Sequence, residues 1–391
     1  MAKKIEKKEQ FLPYGMPHIG DDDRKAVIEV LKGTWLTTGP KVGEFESDVC
    51  KFVNAKHGIA VNSGTSALDV AVDALDLPKG SEVITTPFTF VATSNAVIYN
   101  NHKPIFVDIQ EDTYNIDPEK IKEAITNKTK AIVFVDFAGH PCDMKEIKQL
   151  AEDNNLKLID DAAHSLGAEY NGKRIGCGDF ADITTLSFHP VKHITTGEGG
   201  MCLTNDVSLA KKMSMLRNHG IDKSTMERFG PNAGWAFDMK VLGRNYRMTD
   251  FQAALGSSQL KKLPSFIKHR EKIAGKYNEV FSKDERLSIP KTRSYARSAW
   301  HLYTVLINET IKRDDVFNYL RSKNIGVNVH CMPAYHHTYY KQNFPSDPKD
   351  FPVAEDTFKR ILSLPLHQQM TDSDVRRVIM EVTNALDSLS K

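Results

Sequence analysis

The chain has 391 residues, and its 52 Lys and Arg residues nearly balance its 50 Asp and Glu residues, giving a formal net charge of +2. This length predicts two to three domain-sized units. The 40% share of apolar residues suffices for a large core, which argues against a disordered protein. Because the basic residues are scattered and the charges nearly cancel, the composition gives no reason to expect nucleic acid as a partner.

The cysteines and the opening segment bear on the cellular compartment. All five cysteines are widely spaced, with no C-x-x-C pair, so we expect reduced thiols and no metal site. The charged opening MAKKIEKKEQ is not followed by an apolar region, and no apolar run approaches the roughly 20 residues of a membrane span. We therefore expect a cytoplasmic protein with no membrane segment.

Short apolar runs organise the first half of the chain. Residues 1–20 are predicted to be a solvated basic extension, and residues 21–33 have the acidic start, apolar spacing and closing glycine of a helix. Between Gly58 and Thr204, runs such as AIVFVDF, LKLIDD and ITTLSF alternate with helical stretches. This alternation predicts an α/β fold with a largely parallel sheet covered on both faces.

The second half of the chain changes character. Residues 205–285 are predicted to be mostly helical, with a helix ending or kinking at Leu263 before a proline. The remainder, with AWHLYTVLI as a strand and two amphipathic helices, predicts a small α+β unit. We expect an N-terminal extension over 1–20, a large domain over 21–260 and a small C-terminal domain over 261–391.

The segment Asn62–Ala67, NSGTSA, lies between the apolar run GIAV and a helical pattern. A helix start there would present unpaired backbone N–H groups, and the hydroxyls of Thr65 and Ser66 would add donors for a phosphate. An ordinary helix N-cap explains the same residues. No P-loop or dinucleotide fingerprint is present.

Asp160 and Asp161 end the run LKLI. A carboxylate at the carboxyl end of a buried parallel strand needs a cationic or hydrogen-bonding partner, and a protonated pyridine nitrogen is one. A structural ion pair or N-cap is the alternative. Periodicity alone leaves the choice between the two aspartates open.

Lys192 lies in the glycine-rich segment SFHPVKHITTGEGG, directly after the run ITTL. A lysine desolvated at the mouth of a sheet acquires a lower pKa and can attack a carbonyl, although most lysines are solvated surface residues. One molecule, pyridoxal 5′-phosphate, has a phosphate for the helix start, a ring nitrogen for an aspartate and an aldehyde for a lysine. With its ring nitrogen kept protonated by the aspartate, this cofactor acts as an electron sink.

Several motifs resemble the DegT/DnrJ/EryC1/StrS family of sugar aminotransferases, and the resemblance covers nearly the whole chain. They include VNSGTSALDVAV, TTPFTFVATSNAV, DDAAHSLGAEYNGKRIG, SFHPVKHITTGEGG and GRNYRMTDFQAALGSSQLKKL. The resemblance implies the fold-type-I architecture of aspartate aminotransferase, with pyridoxal 5′-phosphate as cofactor.

The resemblance also assigns roles to residues. Lys192 would hold the cofactor as a Schiff base and shuttle protons, and Asp161 would pair with the ring nitrogen. The remaining cofactor contacts would be to the phosphate, the ring hydroxyl and the ring face. They are Gly64, Thr65, Ser66 and Ser187 for the phosphate, His164 for the hydroxyl side, Phe90 for stacking, and Asn245 from a second subunit. Such shared sites imply a homodimer.

The implied reaction takes the amino group of glutamate, releases 2-oxoglutarate and aminates a nucleotide-linked keto-sugar for surface glycan synthesis. Within the family the chain looks most like transaminases that make UDP-4-amino-4,6-dideoxy-N-acetyl-altrosamine, which implies C4 amination of a UDP-linked 4-keto-6-deoxy sugar. The candidate substrate contacts are Trp35, Thr37, Arg217, His219, Arg244 and His330. In the segment Val329–His337, Cys331 and Tyr335 replace the Tyr and His of those relatives.

Three other readings remain. The chain could aminate C3 of a dTDP- or GDP-linked keto-sugar, dehydrate a sugar with the same cofactor, or be a non-catalytic regulatory relative. The resemblance argues against the dehydratase, whose relatives carry His at the position of Lys192. A non-catalytic relative would have a broken cofactor set, whereas here every member is present.

Overall fold

The computed structural model describes residues 10–223, 227–228 and 235–390. The strands of these residues are β1 (His57–Val61), β2 (Glu82–Thr85), β3 (Lys103–Phe106), β4 (Thr129–Val135), β5 (Lys157–Asp161), β6 (Glu169–Tyr170), β7 (Lys173–Arg174), β8 (Ile183–Ser187), β9 (Gly200–Thr204), β10 (Leu287–Ser288), β11 (Ala296–Arg297), β12 (Tyr303–Ile307) and β13 (Ile361–Leu364).

Most of the helices flank the strands in alternation. The α-helices of the described residues are α1 (Asp21–Leu31), α2 (Pro40–Val53), α3 (Gly64–Ala74), α4 (Ala92–Tyr99), α5 (Pro118–Ala124), α6 (Met144–Asp153), α7 (Val207–Leu216), α8 (Asp250–Leu260), α9 (Leu263–Phe281), α10 (Arg313–Ser322), α11 (Thr338–Asn343), α12 (Pro352–Arg360) and α13 (Asp372–Leu389). Short 3₁₀ turns lie at Phe137–Gly139, Ala334–His336 and Pro348–Asp350.

A seven-stranded sheet forms the large domain, in the order β1-β9-β8-β5-β4-β2-β3. Only β9 runs antiparallel to its neighbours, so the predicted largely parallel α/β sheet is confirmed. Apolar side chains on both faces pack under helices, which explains why these strands are continuous apolar runs in the sequence. The parallel strands β1, β8, β5 and β4 end at one edge, and that edge carries the site described below.

A smaller antiparallel sheet, β10-β12-β13, forms the second unit. Helices α10 and α13 pack on it around a separate apolar core. Helix α9 joins the two units, because Phe266 and Ile267 belong to the core of the large sheet and Ile273 and Tyr277 to the second core. The predicted boundary at residues 260 and 261 falls just before this shared helix.

One expectation about order along the chain was wrong. Leu12, predicted to be solvated, is 7% exposed and joins the second core through a bridge to Ile325. More than half of the described residues in 205–285 are helical, in line with the prediction, while 218–223 and 235–249 are turns and irregular backbone. The break at the proline lies between Leu260 and Leu263, close to the prediction. None of the helices in the described ranges is long and apolar enough to cross a membrane.

Leu12 gives a test of how the N-terminal segment is held. Leu12→Ala should lower the free energy of unfolding by about 2–4 kcal/mol, because it removes buried methyl groups from a packed core. The matched control is Leu31→Ala, since the Leu31 side chain is 56% exposed and should cost less than about 0.5 kcal/mol. Urea unfolding followed by circular dichroism measures both. Equal midpoints for the two variants would contradict this packing.

Candidate active site

A cavity of about 650 Å³ lies at the carboxyl edge of the large sheet. Strand ends β4, β5 and β8, the start of α3, and the segment 328–332 from the second unit surround it. Of the residues singled out from the sequence, those that line it are Gly64, Thr65, Phe90, Asp161, His164, Ser187, Lys192 and His330. The structure thus brings together residues that are up to 266 positions apart in the sequence, from Gly64 to His330.

The start of α3 forms one end of the cavity. Ser63 caps the helix and accepts the N–H of Ser66 at 3.1 Å, while the N–H groups of Gly64 and Thr65, at the first two helical positions, have no partner within the helix. A Cβ at Gly64 would lie 2.9 Å from the Cβ of Ser187, so only glycine lets this turn approach β8. This end can bind a phosphate through backbone N–H groups and hydroxyls.

Ser66 differs from its neighbours in this turn. Its hydroxyl donates to Asn62 at 2.6 Å and lies 2.9 Å from the hydroxyl of Ser63. Ser66 is buried and does not line the cavity. Its observed contacts therefore hold the turn in shape.

Asp161 lies at the floor of the cavity. Its Oδ2 accepts the hydroxyl of Thr93 at 2.7 Å, and its Oδ1 accepts the N–H of Ala163 at 3.2 Å. Burial raises the pKa of this carboxyl, while Thr93, Ala163 and Lys192 act against the rise. Asp160, the preceding residue on the strand, points to the opposite face and does not line the cavity. The alternation of the strand therefore decides which aspartate reaches a ligand.

Lys192 lies across the cavity, in a turn closed by its own N–H to the carbonyl of His189 at 2.9 Å. Burial lowers the pKa of Lys192 to about 8, although the charge of Asp161 acts in the opposite direction. A lysine with a pKa of about 8 is neutral in about one molecule in ten at pH 7, far more often than an ordinary lysine, and can act as a nucleophile. The amine of Lys192 and the carboxylate of Asp161 can therefore contact the same small ligand.

A group of imidazoles fills one wall. The rings of His164 and His301 lie 4.3 Å apart between centroids, and His301 is 5.5 Å from His193. Burial lowers the pKa of each well below its ordinary value, so all three are neutral at physiological pH. His330 accompanies them at the mouth, where its Nδ1 lies 2.8 Å from the hydroxyl of Ser363. This wall offers hydrogen bonds without adding charge.

The other candidate substrate contacts lie outside the cavity of their own chain. Arg217 pairs with Glu46, Arg244 pairs with Asp69 and Asp73, and His219 is held by its N–H to Arg244 at 2.8 Å. The backbone of Thr37 pairs with that of Thr249 in an isolated β-bridge, and the backbone of Asn245 pairs with that of Asn218 in the same way. These residues and Trp35 do not line the cavity.

Sequence reasoning missed several lining residues. Thr93 holds Asp161, and His301, Asn328 and Tyr14 complete the wall near His330. Thr93 and His301 lie inside quoted motifs, but nothing in their spacing distinguishes them from core residues. Tyr14 lies in the extension that was expected to be solvated.

The residues present fit pyridoxal 5′-phosphate. The free N–H groups at the start of α3 suit its phosphate, the buried carboxylate of Asp161 suits its protonated ring nitrogen, and the lowered pKa of Lys192 suits its aldehyde. Fold and site together define a pyridoxal-phosphate-dependent transaminase of fold-type I. Its similarity to known proteins identifies its family.

Residues 17–383 match the DegT/DnrJ/EryC1/StrS aminotransferase family, and the chain belongs to that family. It is 42% identical to the spore coat polysaccharide biosynthesis protein SpsC of Bacillus subtilis, over 97% of this chain and 98% of that protein. It is 39% identical to the UDP-4-amino-4,6-dideoxy-N-acetyl-beta-L-altrosamine transaminase of Campylobacter jejuni, over 97% and 99%.

The fold agrees with a solved relative. The Helicobacter pylori aminotransferase PseC, involved in the biosynthesis of pseudoaminic acid, superimposes with a TM-score of 0.91 at 33% identity, covering 97% of this chain and 100% of that one. The chain is therefore a sugar aminotransferase that uses pyridoxal 5′-phosphate. The fold-type-I prediction and the predicted cofactor are confirmed.

The lowered pKa of Lys192 predicts how the amine reacts. The rate at which apo-protein takes up pyridoxal 5′-phosphate, followed by visible absorbance, should rise with pH through a midpoint near 8, because only the neutral amine attacks the aldehyde. Asp161→Asn should move this midpoint lower, because the charge of Asp161 raises the pKa of Lys192. A midpoint near the ordinary 10.5 would contradict the burial of this amine.

Proposed function

We propose that the protein transfers the amino group of glutamate to C4 of a UDP-linked 4-keto-6-deoxy sugar. Lys192 and Asp161 are the catalytic residues, and Gly64, Thr65, Ser187, Phe90 and His164 hold the cofactor. The observation that carries the transaminase chemistry is the buried amine of Lys192, which faces Asp161 across a cavity that begins at an anion-binding helix start.

The relatives support the choice of sugar. The transaminase of Campylobacter jejuni is named for a UDP-linked 4-amino-4,6-dideoxy sugar, and its likeness runs over nearly the whole chain. PseC shares the fold throughout. SpsC, which is named for spore coat polysaccharide, supports a role in surface glycan synthesis.

Each residue has a distinct task in this reaction. Bound pyridoxal 5′-phosphate supplies an electron sink for the carbon that loses its proton. Asp161, fixed by Thr93 and Ala163, keeps a negative charge at the ring nitrogen. Among the described residues that line the cavity, Lys192 carries the only primary amine, so we assign it the proton transfers in both half-reactions.

Substrate recognition supports a homodimer with shared active sites. Among the described residues that line the cavity, Lys192 is the only lysine or arginine. A glutamate carboxylate and a nucleotide diphosphate both need cations or several hydrogen-bond donors. We infer that a second copy supplies them together with Asn245, which lies outside the cavity of its own chain.

An exposed apolar segment supports the same arrangement. Over residues 235–242 four large side chains face solvent, with exposed fractions of 94% for Trp235, 52% for Phe237, 59% for Met239 and 83% for Leu242. Large contiguous apolar surfaces mark interaction sites. The segment directly precedes Arg244 and Asn245, so a second copy that covers it would also meet these residues.

The substrate proposal predicts a specific preference. With glutamate as donor, a UDP-linked 4-keto-6-deoxy N-acetylhexosamine should be aminated at C4 at least about tenfold faster than dTDP- or GDP-linked keto-sugars, a preference of the size one or two lost hydrogen bonds produce. Mass spectrometry and NMR of the product measure the added amine and its position. Lys192→Ala is the control and should form no product.

Two outcomes of this panel would overturn the substrate assignment. Amination at C3 would contradict the assignment of C4, and a preference for dTDP- or GDP-linked sugars would contradict the assignment of a UDP-linked sugar. Loss of the sugar hydroxyl without amination would contradict the transaminase itself.

Shared active sites predict complementation. Lys192→Ala and Asn245→Asp should each be nearly inactive, and a mixture of the two refolded together should recover up to about a quarter of wild-type activity, because half the dimers are mixed and each has one intact site. The control mixes Lys192→Ala with Asp161→Asn. These two residues line the same cavity of one chain, so no intact site forms. Equal activity in the two mixtures would contradict sharing.

A further inference from the structure

A second pair of acidic side chains lies behind Asp161, on the opposite face of the sheet. In the pairing of β4 with β5, Phe134 faces Asp160 and Val135 faces Asp161. The N–H of Asp136 reaches the carbonyl of Asp161 at 3.4 Å, which continues this alignment one residue further. Since residues two apart on a strand share a face, Asp136 and Asp160 are diagonal neighbours on the face away from the cavity.

Both carboxyls are deeply buried, with exposed fractions of 0% for Asp136 and 2% for Asp160. One oxygen of Asp136 accepts the N–H of Cys142 at 2.9 Å, and one oxygen of Asp160 lies 3.5 Å from the hydroxyl of Thr184. Asp160 Oδ1 has no hydrogen-bond partner, and Asp136 Oδ2 has none within ordinary hydrogen-bond geometry, although the hydroxyl of Ser165 is close enough to lower the pKa of Asp136. A buried carboxylate oxygen without a hydrogen-bond partner is costly, so protonation of one of these two carboxyls is favoured.

Among the described residues, the groups that act on the pair carry no positive charge. They are the carboxyl of Asp161, the thiol of Cys142 and the hydroxyls of Ser165 and Thr184. Burial raises the pKa of Asp136 to about 7, and burial together with the charge of Asp136 raises that of Asp160 well above its ordinary value. Two adjacent buried carboxyls cannot both ionise, and a single O–H···O bond between them would satisfy both orphan oxygens.

We propose that Asp136 and Asp160 share one proton, and that the negative charge left on the pair strengthens the hold of Asp161 on the protonated ring nitrogen of the cofactor. They are positioning residues, because they act through Asp161 and do not line the cavity. A charge of this kind is effective because little solvent screens it in the buried sheet. The proposal needs the cofactor but holds for any sugar substrate.

The shared proton is tested by infrared spectroscopy of the cofactor-loaded protein with isotope-labelled aspartate. The wild type should show the C=O band of a buried protonated carboxylic acid at neutral pH. Asp136→Asn and Asp160→Asn should each lose it, because the amide N–H then donates to the remaining carboxyl, which stays ionised. Absence of the band in the wild type, or a band that survives both substitutions, overturns the shared proton.

The charge is tested by the pH titration of the cofactor's visible absorbance. Each single Asn variant keeps one negative charge and should titrate as the wild type does. The double variant has none, so its titration should move about one pH unit lower and its affinity for pyridoxal 5′-phosphate should fall about tenfold, since one pKa unit is a factor of ten in equilibrium. Loss of a nearby anion destabilises the positively charged form, which sets this direction.

Two further variants complete the design. Asp182→Asn changes an aspartate just before β8, at the other end of the sheet, and should leave the titration unmoved. Asp160→Leu serves where the double variant does not fold, and it should shift the titration in the same direction at pH values below about 7, where Asp136, whose pKa burial raises to about 7, keeps its proton. A folded double or Leu variant with an unshifted titration overturns the electrostatic role.

Discussion

Burial of charge at one edge of the large sheet is the constraint on which the site depends. Strands β4, β5 and β8 end together, so Asp161 and Lys192 lie in a region that little water reaches. Burial there raises the pKa of the carboxyl and lowers that of the amine. A ligand with a positive ring nitrogen for the carboxylate and an aldehyde for the amine would lower both desolvation costs, and pyridoxal 5′-phosphate has both groups.

The side chains that surround the site also limit the amount of buried charge. The imidazoles of His164 and His301 in the wall and of His193 behind it stay neutral, and two buried aspartates, Asp136 and Asp160, lie on the opposite face of the sheet. Among the described residues that line the cavity, Lys192 is the only lysine or arginine that could bind a substrate carboxylate or a diphosphate.

The parts of the site differ in how local their determinants are. The helix start depends on Gly64 and its cap Ser63, which are adjacent in the sequence, so the local motif predicted this turn, while its phosphate role was implied by the family resemblance. The substrate side depends on Tyr14, His301 and Asn328, which come from three distant segments. Arg217 and Arg244 were plausible anion ligands from their type, but each has an acidic partner that no local pattern reveals.

The sequence by itself determined the fold class, the cofactor and the roles of Lys192 and Asp161 as candidates, because apolar runs and motifs at strand ends are local signals. Periodicity alone left two aspartates open and the family resemblance favoured Asp161, and the strand's two faces then placed Asp161 in the cavity and Asp160 in the sheet interior. Tertiary structure also decided that Leu12 is core and that Asp160 shares the inner face of the sheet with Phe134. These outcomes depend on contacts between residues far apart in the chain, which periodicity does not encode.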